Sequence, residues 1–531
     1  MKGDSQAAVK ALEEGSLVLP EQHAPAPSPA SHDTRTIRGR AYVTAALLLV
    51  MVLVSMEQTI TSTAMPSIIG ELHGLEHYSW VASIYLLACT VTMPLYGRLA
   101  DAFGRKPVLM ASLLIFLAAS LLASFATTMT QLIIFRGLQG LGAGGVMPVV
   151  LTILADIYTL EERARIQGFF SAVWGTSALA GPALGALLVH TLGWRSVFWI
   201  NLPIGLIGLA MLAWKYHERR ERHAMDLNLP GVTTLAVAST ALLALVSGLG
   251  PDGWSWTTIA LLSIVTIATT AFFVNYDRRA AHPILPPDLM MRREIGPSIL
   301  GSILFGAAFL SLDTYVPLYI QGGRGGDATA AASVVTPVML TWAMSGMIAA
   351  PALVRFGFRK TATFGATLIV LGFTGLFVCA IVEAPRWMIT ATLAVTGFGF
   401  GPASMSMLIV AQESVDYRQR GIVTSSISFF RTMGGAVGIG LFGAMFNILT
   451  SGHASRLESM GVKPAELLDP HARQSIPAAV LADAQRMIAG ALMWVFAGML
   501  TVALVLWAVT WLMPKARCEH EVHASDTLDA A

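Results

Sequence analysis

The chain has 531 residues, of which 55% are apolar and only 12% charged, with a net charge of +2. Soluble globular proteins carry about 25% charged residues, so composition excludes an ordinary soluble enzyme, and the charge balance gives no sign of a nucleic-acid partner. Cys89, Cys379 and Cys518 are too few and too scattered for a disulfide framework and read as small apolar filler or tail residues.

Residues 1–40 are polar, carry Pro25-Ala26-Pro27-Ser28-Pro29 and lack the apolar stretch of a signal peptide, so a disordered cytosolic tail is expected. Apolar runs long enough to cross a bilayer then follow near 42–65, 79–98, 107–126, 131–154, 168–190, 196–214, 231–249, 256–275, 297–320, 332–354, 361–382, 388–411, 424–448 and 488–512. The expected class is an all-α integral membrane protein with 14 transmembrane helices. A second cytosolic tail is expected at 514–531.

The loops test this count. Roughly 23 Lys or Arg fall on one alternating set of connections and roughly 7 on the other, as the positive-inside rule requires of an even count with both termini cytosolic. The rich set includes Arg98, Arg105 and Lys106, Lys215, Arg219, Arg220 and Arg222, Arg355, Arg359 and Lys360, and Arg418 and Arg420. The poor set includes 66–78, with Glu71 and Glu76 and no basic residue.

Ionisable side chains inside the spans are few: Glu57, Arg136, Asp313 and Arg431. Each costs about 2.5–3.5 kcal/mol at a helix centre on insertion scales, so each asks for a reason. Glu57, mid-span, is disfavoured as an anion, which suits a reversible proton carrier or a cation site; pairing that merely orients helices is the alternative. Asp313, read as a second buried carboxylate, could share that work. Arg136 stays protonated and cannot carry the proton, but its field favours a nearby carboxylate anion. Arg431 lies nearer the cytosolic end of its span, where it could snorkel or serve function.

Several motifs resemble those of the major facilitator superfamily. The turn Gly97-Arg98-Leu99-Ala100-Asp101-Ala102-Phe103-Gly104-Arg105-Lys106 is similar to its loop signature, with Ala102 in place of an arginine. A degenerate second copy at 350–360 keeps Phe356-Gly357, Arg359 and Lys360, with Val354 where Asp101 stood. Arg136, Gln139 and Gly140 resemble the fourth-span motif R-x-x-Q-G. The segment Glu57-Gln58-Thr59-Ile60, followed by Ala64-Met65-Pro66, is similar to the first-span motif of the fourteen-span drug:proton antiporters, with glutamate for the family aspartate. Gly181, Pro182 and Gly185 resemble the antiporter motif of the exporters, although Ser177 and Ala186 replace two glycines. The segment 192–205, containing Asn201, and the segment 412–440 resemble the same branch.

The resemblance implies two six-helix halves, 41–214 and 297–513, separated by a two-helix insert with linkers at 215–296. It implies proton-coupled efflux of hydrophobic or cationic drugs across the cytoplasmic membrane by alternating access, with no enzymatic activity and no cofactor. Glu57, Asp313, Arg136 and Gln139 would couple protons and substrate, with Arg431 and Asn201 as further candidates. Asp101 would latch the halves on the cytosolic side, supported by Gly97, Gly104, Arg105 and Lys106, while simple anchoring by the basic pair is the alternative. The expected partners are a small-molecule substrate, protons and lipid, with a monomer as the working state. A narrow exporter of a siderophore, antibiotic or metabolite is the alternative function; a non-transporting receptor or scaffold is weaker. Gly140-x-Gly142-x-x-Gly145 fits a dinucleotide pattern but lies inside an apolar span, and reads as a helix-contact surface. No histidine shows metal-ligand spacing, and no metal is expected.

Overall fold

The computed structural model describes residues 37–72, 78–218, 228–249, 254–459 and 476–515. Nearly all of both expected tails, most of the connection 66–78 beyond residue 72, the basic stretch at 219–227 and the segment 460–475 lie outside the described residues. The chain separates into two compact units, Met1–Ala41 and Tyr42–Ala531. Of the first, only the opening turn of a helix is described; the second holds the buried cores.

Long helices form at each expected span: α1 Ile37–Leu72, α2 Tyr78–Phe103, α3 Arg105–Ser124, α4 Met129–Ile157, α5 Leu160–Leu192, α6 Asn201–Lys215, α7 Leu229–Ser247, α8 Trp256–Arg279, α9 Gly296–Leu318, α10 Ala328–Phe356, α11 Phe358–Ile381, α12 Arg386–Glu413, α13 Arg420–Ser459 and α14 Ala478–Thr510. Among the described residues there is no strand, and twelve helices are long and apolar enough to cross a membrane. α2 and α5 fall outside that twelve, so the number of crossings stays at the expectation of fourteen rather than a demonstrated count.

Polar caps set several helix starts. Thr128, Asn228, Ser255 and Asp327 each accept a backbone N–H in the first turn of α4, α7, α8 and α10, and Thr159 forms a reciprocal capping box with Glu162 at the start of α5. The turns α2–α3 and α10–α11 each pivot on a glycine of positive φ, Gly104 at 96° and Gly357 at 82°. They occupy matching places in the two copies of the signature turn.

Helix contacts repeat in the same sense. α4 lies against α2 and α3, and α12 lies against α10 and α11. Between the two sets, α2 meets α13 and α5 meets α10. Counted within each expected half, these pair second with fifth and fifth with second, as a two-fold relation requires. α7 and α8 pair with each other, and α7 rests on α2 and α13. Only 6% of the apolar window of α8 is buried, against 83% in α12, so α8 leaves its surface for lipid while α12 lies inside.

Candidate functional site

Glu57, Arg136, Gln139 and Asn201 come together in one buried network from α1, α4 and α6. Their exposures are 1%, 2%, 0% and 3%, so the charges compensate each other rather than being hydrated. Arg136 Nη1 donates to Glu57 Oε1 at 2.5 Å and to Gln139 Oε1 at 2.6 Å. Thr61 Oγ1, one turn above Glu57, donates to the same carboxylate oxygen at 3.0 Å. Asn201 Nδ2 donates to Glu57 Oε2 and to Ser120 Oγ, and Ser120 in turn donates to the carbonyl of Phe198 at 3.0 Å. The Arg136 guanidinium also lies 4.3 Å over the Tyr85 ring. Among the described residues two groups around this pair have no hydrogen-bond partner: the hydroxyl of Tyr85 and Nε2 of Gln139. A buried polar site with two unsatisfied donors is chemically suited to a water molecule.

Sequence fixes the geometry of this cluster through glycines. A Cβ at Gly140 would lie 2.4 Å from the Tyr85 carbonyl, and one at Gly142 2.5 Å from the Phe116 amide, so α4 can approach α2 and α3 this closely only without side chains. Two glycines do the same on α5: a Cβ at Gly181 or Gly185 would meet Thr59 or Thr63 of α1 at 1.9 or 2.1 Å. They therefore seat α5 against the helix that carries Glu57. Pro182 lies within α5, and its side chain is outside the described residues.

At the other end of α2, Asp101 caps the start of α13. It accepts the amides of Gly421 and Ile422 at 2.9 and 2.7 Å, placing a carboxylate on a helix N-terminus. Arg105 lies 3.4 Å from Asp101 and 3.1 Å from Asp156, donates to the Tyr417 carbonyl and stacks over the Tyr417 ring. Arg420 reaches Asp156 at 3.6 Å. Lys106 donates to the carbonyls of Ala213 and Tyr216, and Glu218 accepts the amides of Arg105 and Lys106 at the start of α3. Burial pushes the Asp101 carboxyl up to about 7, against the opposing pull of Arg105 and the two amides. Gly97 makes the crossing possible, since a Cβ there would fall 1.9 Å from Ser425 Oγ.

Two expected site residues lie elsewhere. Asp313 is exposed on α9, not buried, and has no hydrogen bond or ion pair among the described residues. It shares no contact with the Glu57 network; the two carboxylates belong to different helix sets. Arg431 does not snorkel: its guanidinium sits 5.3 Å from the Phe305 ring and its Nε is buried.

The structure adds residues that sequence reasoning passed over. Asp156 and Tyr417 complete the α2–α13 junction, and Glu218 anchors α3. Asp277, at the end of α8, is fully buried and accepts Asn228 Nδ2 and the amides of Ile284 and Leu285, while Arg98 meets His282. The signal for Asp277 was present as a carboxylate at the end of an apolar run, close after one with Asn228 at its start.

Comparison with known proteins follows the same lines. The family description Major Facilitator Superfamily matches residues 47–439. The chain is 33% identical over 410 residues to the multidrug transporter protein MdtP of Bacillus subtilis (strain 168), covering 77% of this chain and 75% of that protein. It is 30% identical over 504 residues to multidrug resistance protein 3 of the same organism, covering 91% and 98%. Among solved structures, the human organic anion transporter MFSD10 superposes with a TM-score of 0.59 at 13% identity, over 88% of this chain and 99% of that one, a likeness of fold alone.

Proposed function

Because the chain belongs to the Major Facilitator Superfamily and is a multi-pass membrane protein whose relatives are transporters, we propose that it is a proton-coupled exporter of hydrophobic, drug-like compounds across the cytoplasmic membrane. The observation that carries this reading is the Glu57–Arg136 pair, a carboxylate at the centre of a span whose only charged partner among the described residues is a permanent cation. Protonating Glu57 cancels one charge of the pair and frees the Arg136 fork and Asn201 to take other partners. The same proton thereby changes the contacts among α1, α4 and α6. Entry of one proton down about 150 mV supplies roughly 3.5 kcal/mol, enough for about a 350-fold gradient of a substrate moved without net charge.

Alternating access needs a second element that holds one side shut. The Asp101 cap on α13, braced by Arg105, Asp156 and Arg420, supplies it on the basic, cytosolic side. With both termini cytosolic, the state described has that side closed. The names of the B. subtilis relatives support drug-like substrates.

The test is substrate-triggered proton release from everted membrane vesicles, parent against Glu57→Gln. Proton release on adding a lipophilic cation, abolished in the variant, is the expected result. Release that survives the variant moves the proton elsewhere and overturns the role of Glu57; no release by the parent with any hydrophobic compound overturns coupled export.

A further inference from the structure

Arg431 is the one cation of the expected spans that the Glu57 network leaves unexplained. It lies on α13, beside the crossing with α9, and among the described residues it makes no hydrogen bond or ion pair. A guanidinium has five N–H donors in a rigid fork and no means of shedding its charge. One cation–π contact to Phe305 answers only part of that need. Its position is not slack: a Cβ at Gly306 would strike the Arg431 carbonyl at 1.9 Å, and one at Gly434 the Ile303 carbonyl at 2.2 Å. The backbones of α9 and α13 thus meet at Arg431, whose guanidinium lies beside the Phe305 ring.

Phe305 is the edge of a larger group. Phe305, Phe309, Trp342 and Phe400, from α9, α10 and α12, all lie within 6.3 Å of one another, with Phe309 and Trp342 closest at 4.8 Å. Phe305 and Phe400 are fully buried, whereas Phe309, Trp342 and Arg431 are partly exposed. An open edge of aromatic rings beside an unanswered guanidinium is the chemistry that binds an aromatic or flat apolar body with an oxyanion attached.

Resting on the exporter reading, we propose that this cluster is a substrate subsite for amphiphilic anions: an apolar, ring-bearing body against Phe309 and Trp342, with its carboxylate or sulfonate on Arg431. Asp313, one helical turn beyond Phe309 and about 10 Å along α9 from the Arg431 crossing by helical rise, offers an opposite pole for compounds that also carry a cation. The substrate range thereby extends from cations to anions and zwitterions.

The test titrates the purified full chain in micelles with 1-pyrenebutyrate and with its methyl ester, which differ only in the charged group. The parent is expected to bind the carboxylate at least tenfold more tightly, and Arg431→Gln to bring the two affinities together while ester binding holds. Arg431→Lys is expected to keep part of the preference, having the charge without the fork. Equal affinities in the parent, whatever any variant does, overturn the subsite, as does a tenfold preference that survives Arg431→Gln. Vesicle proton release with a lipophilic cation separates the two levels. If it persists while the carboxylate shows no preference, export stands and the anion subsite falls; a carboxylate preference without proton release leaves the subsite and removes the coupling.

Discussion

Asn201 shows how a single side chain conditions the charge beside it. Its amide supplies the donor to Glu57 Oε2, and Ser120 orients that amide by accepting its second N–H. Replacing Asn201 by leucine leaves a buried carboxylate oxygen without that donor, a loss of about 1–3 kcal/mol. Ser120 acts on the carboxylate through Asn201, so Ser120→Ala is expected to cost less, about 0.5–1.5 kcal/mol. A double-mutant cycle on unfolding in micelles separates this from two independent contacts. The pair of substitutions is expected to cost little more than Asn201→Leu alone. Full additivity would mean that Ser120 serves the Phe198 carbonyl and not the carboxylate network.

At the scale of helices, close approach is written in glycines. Gly97→Leu would drive a side chain into Ser425 and the Gly421 carbonyl, and no neighbour at that crossing is the far end of a long side chain. The expected result is separation of α2 from α13, read as at least tenfold faster hydrogen exchange of the 417–425 segment. Unchanged exchange there would show that the crossing does not depend on Gly97. Apolar run length located the helices well but not their ends. The run expected at 168–190 begins as a helix at Leu160, because Thr159 and Glu162 cap it in polar sequence that hydropathy discards. The expected span 424–448 likewise lies within the longer Arg420–Ser459. Of the site, Glu57, Arg136 and Gln139 were legible because charge and amide stand out in apolar sequence. Asp156 and Tyr417 were not, because their meaning lies in a junction between helices distant in the chain. The exposure of the Asp313 side chain was not legible, because apolar neighbours along the chain do not say which face of a helix a residue occupies.

On the scale of the whole molecule, the α2–α13 junction is expected to couple the helix sets to pH. Asp101 lies beyond the expected span 79–98, and in the closed junction burial raises its carboxyl to about 7. It is faced there by Arg105, Asp156 and the α13 amides, with Arg98 and Tyr417 close enough to act on it electrostatically. Once the junction parts and water reaches the group, its value returns toward the ordinary carboxylate range near 3.9. Between those two values the closed form binds the proton and the open form does not. Raising pH through that window therefore favours opening, lowering it favours closure, and outside the window this group contributes no slope. Spin labels on the ends of α2 and α13 that meet at Asp101 are expected to report a longer mean distance at about pH 8 than at about pH 5. Asp101→Asn, which holds no titrating proton, is expected to flatten that response. A pH-independent distance in the parent, or an unchanged response in the variant, would remove Asp101 as its source. On the proposed exporter reading, with this junction on the cytosolic side, the sign is the useful one, since an alkaline cytosol would then favour opening where substrate must enter.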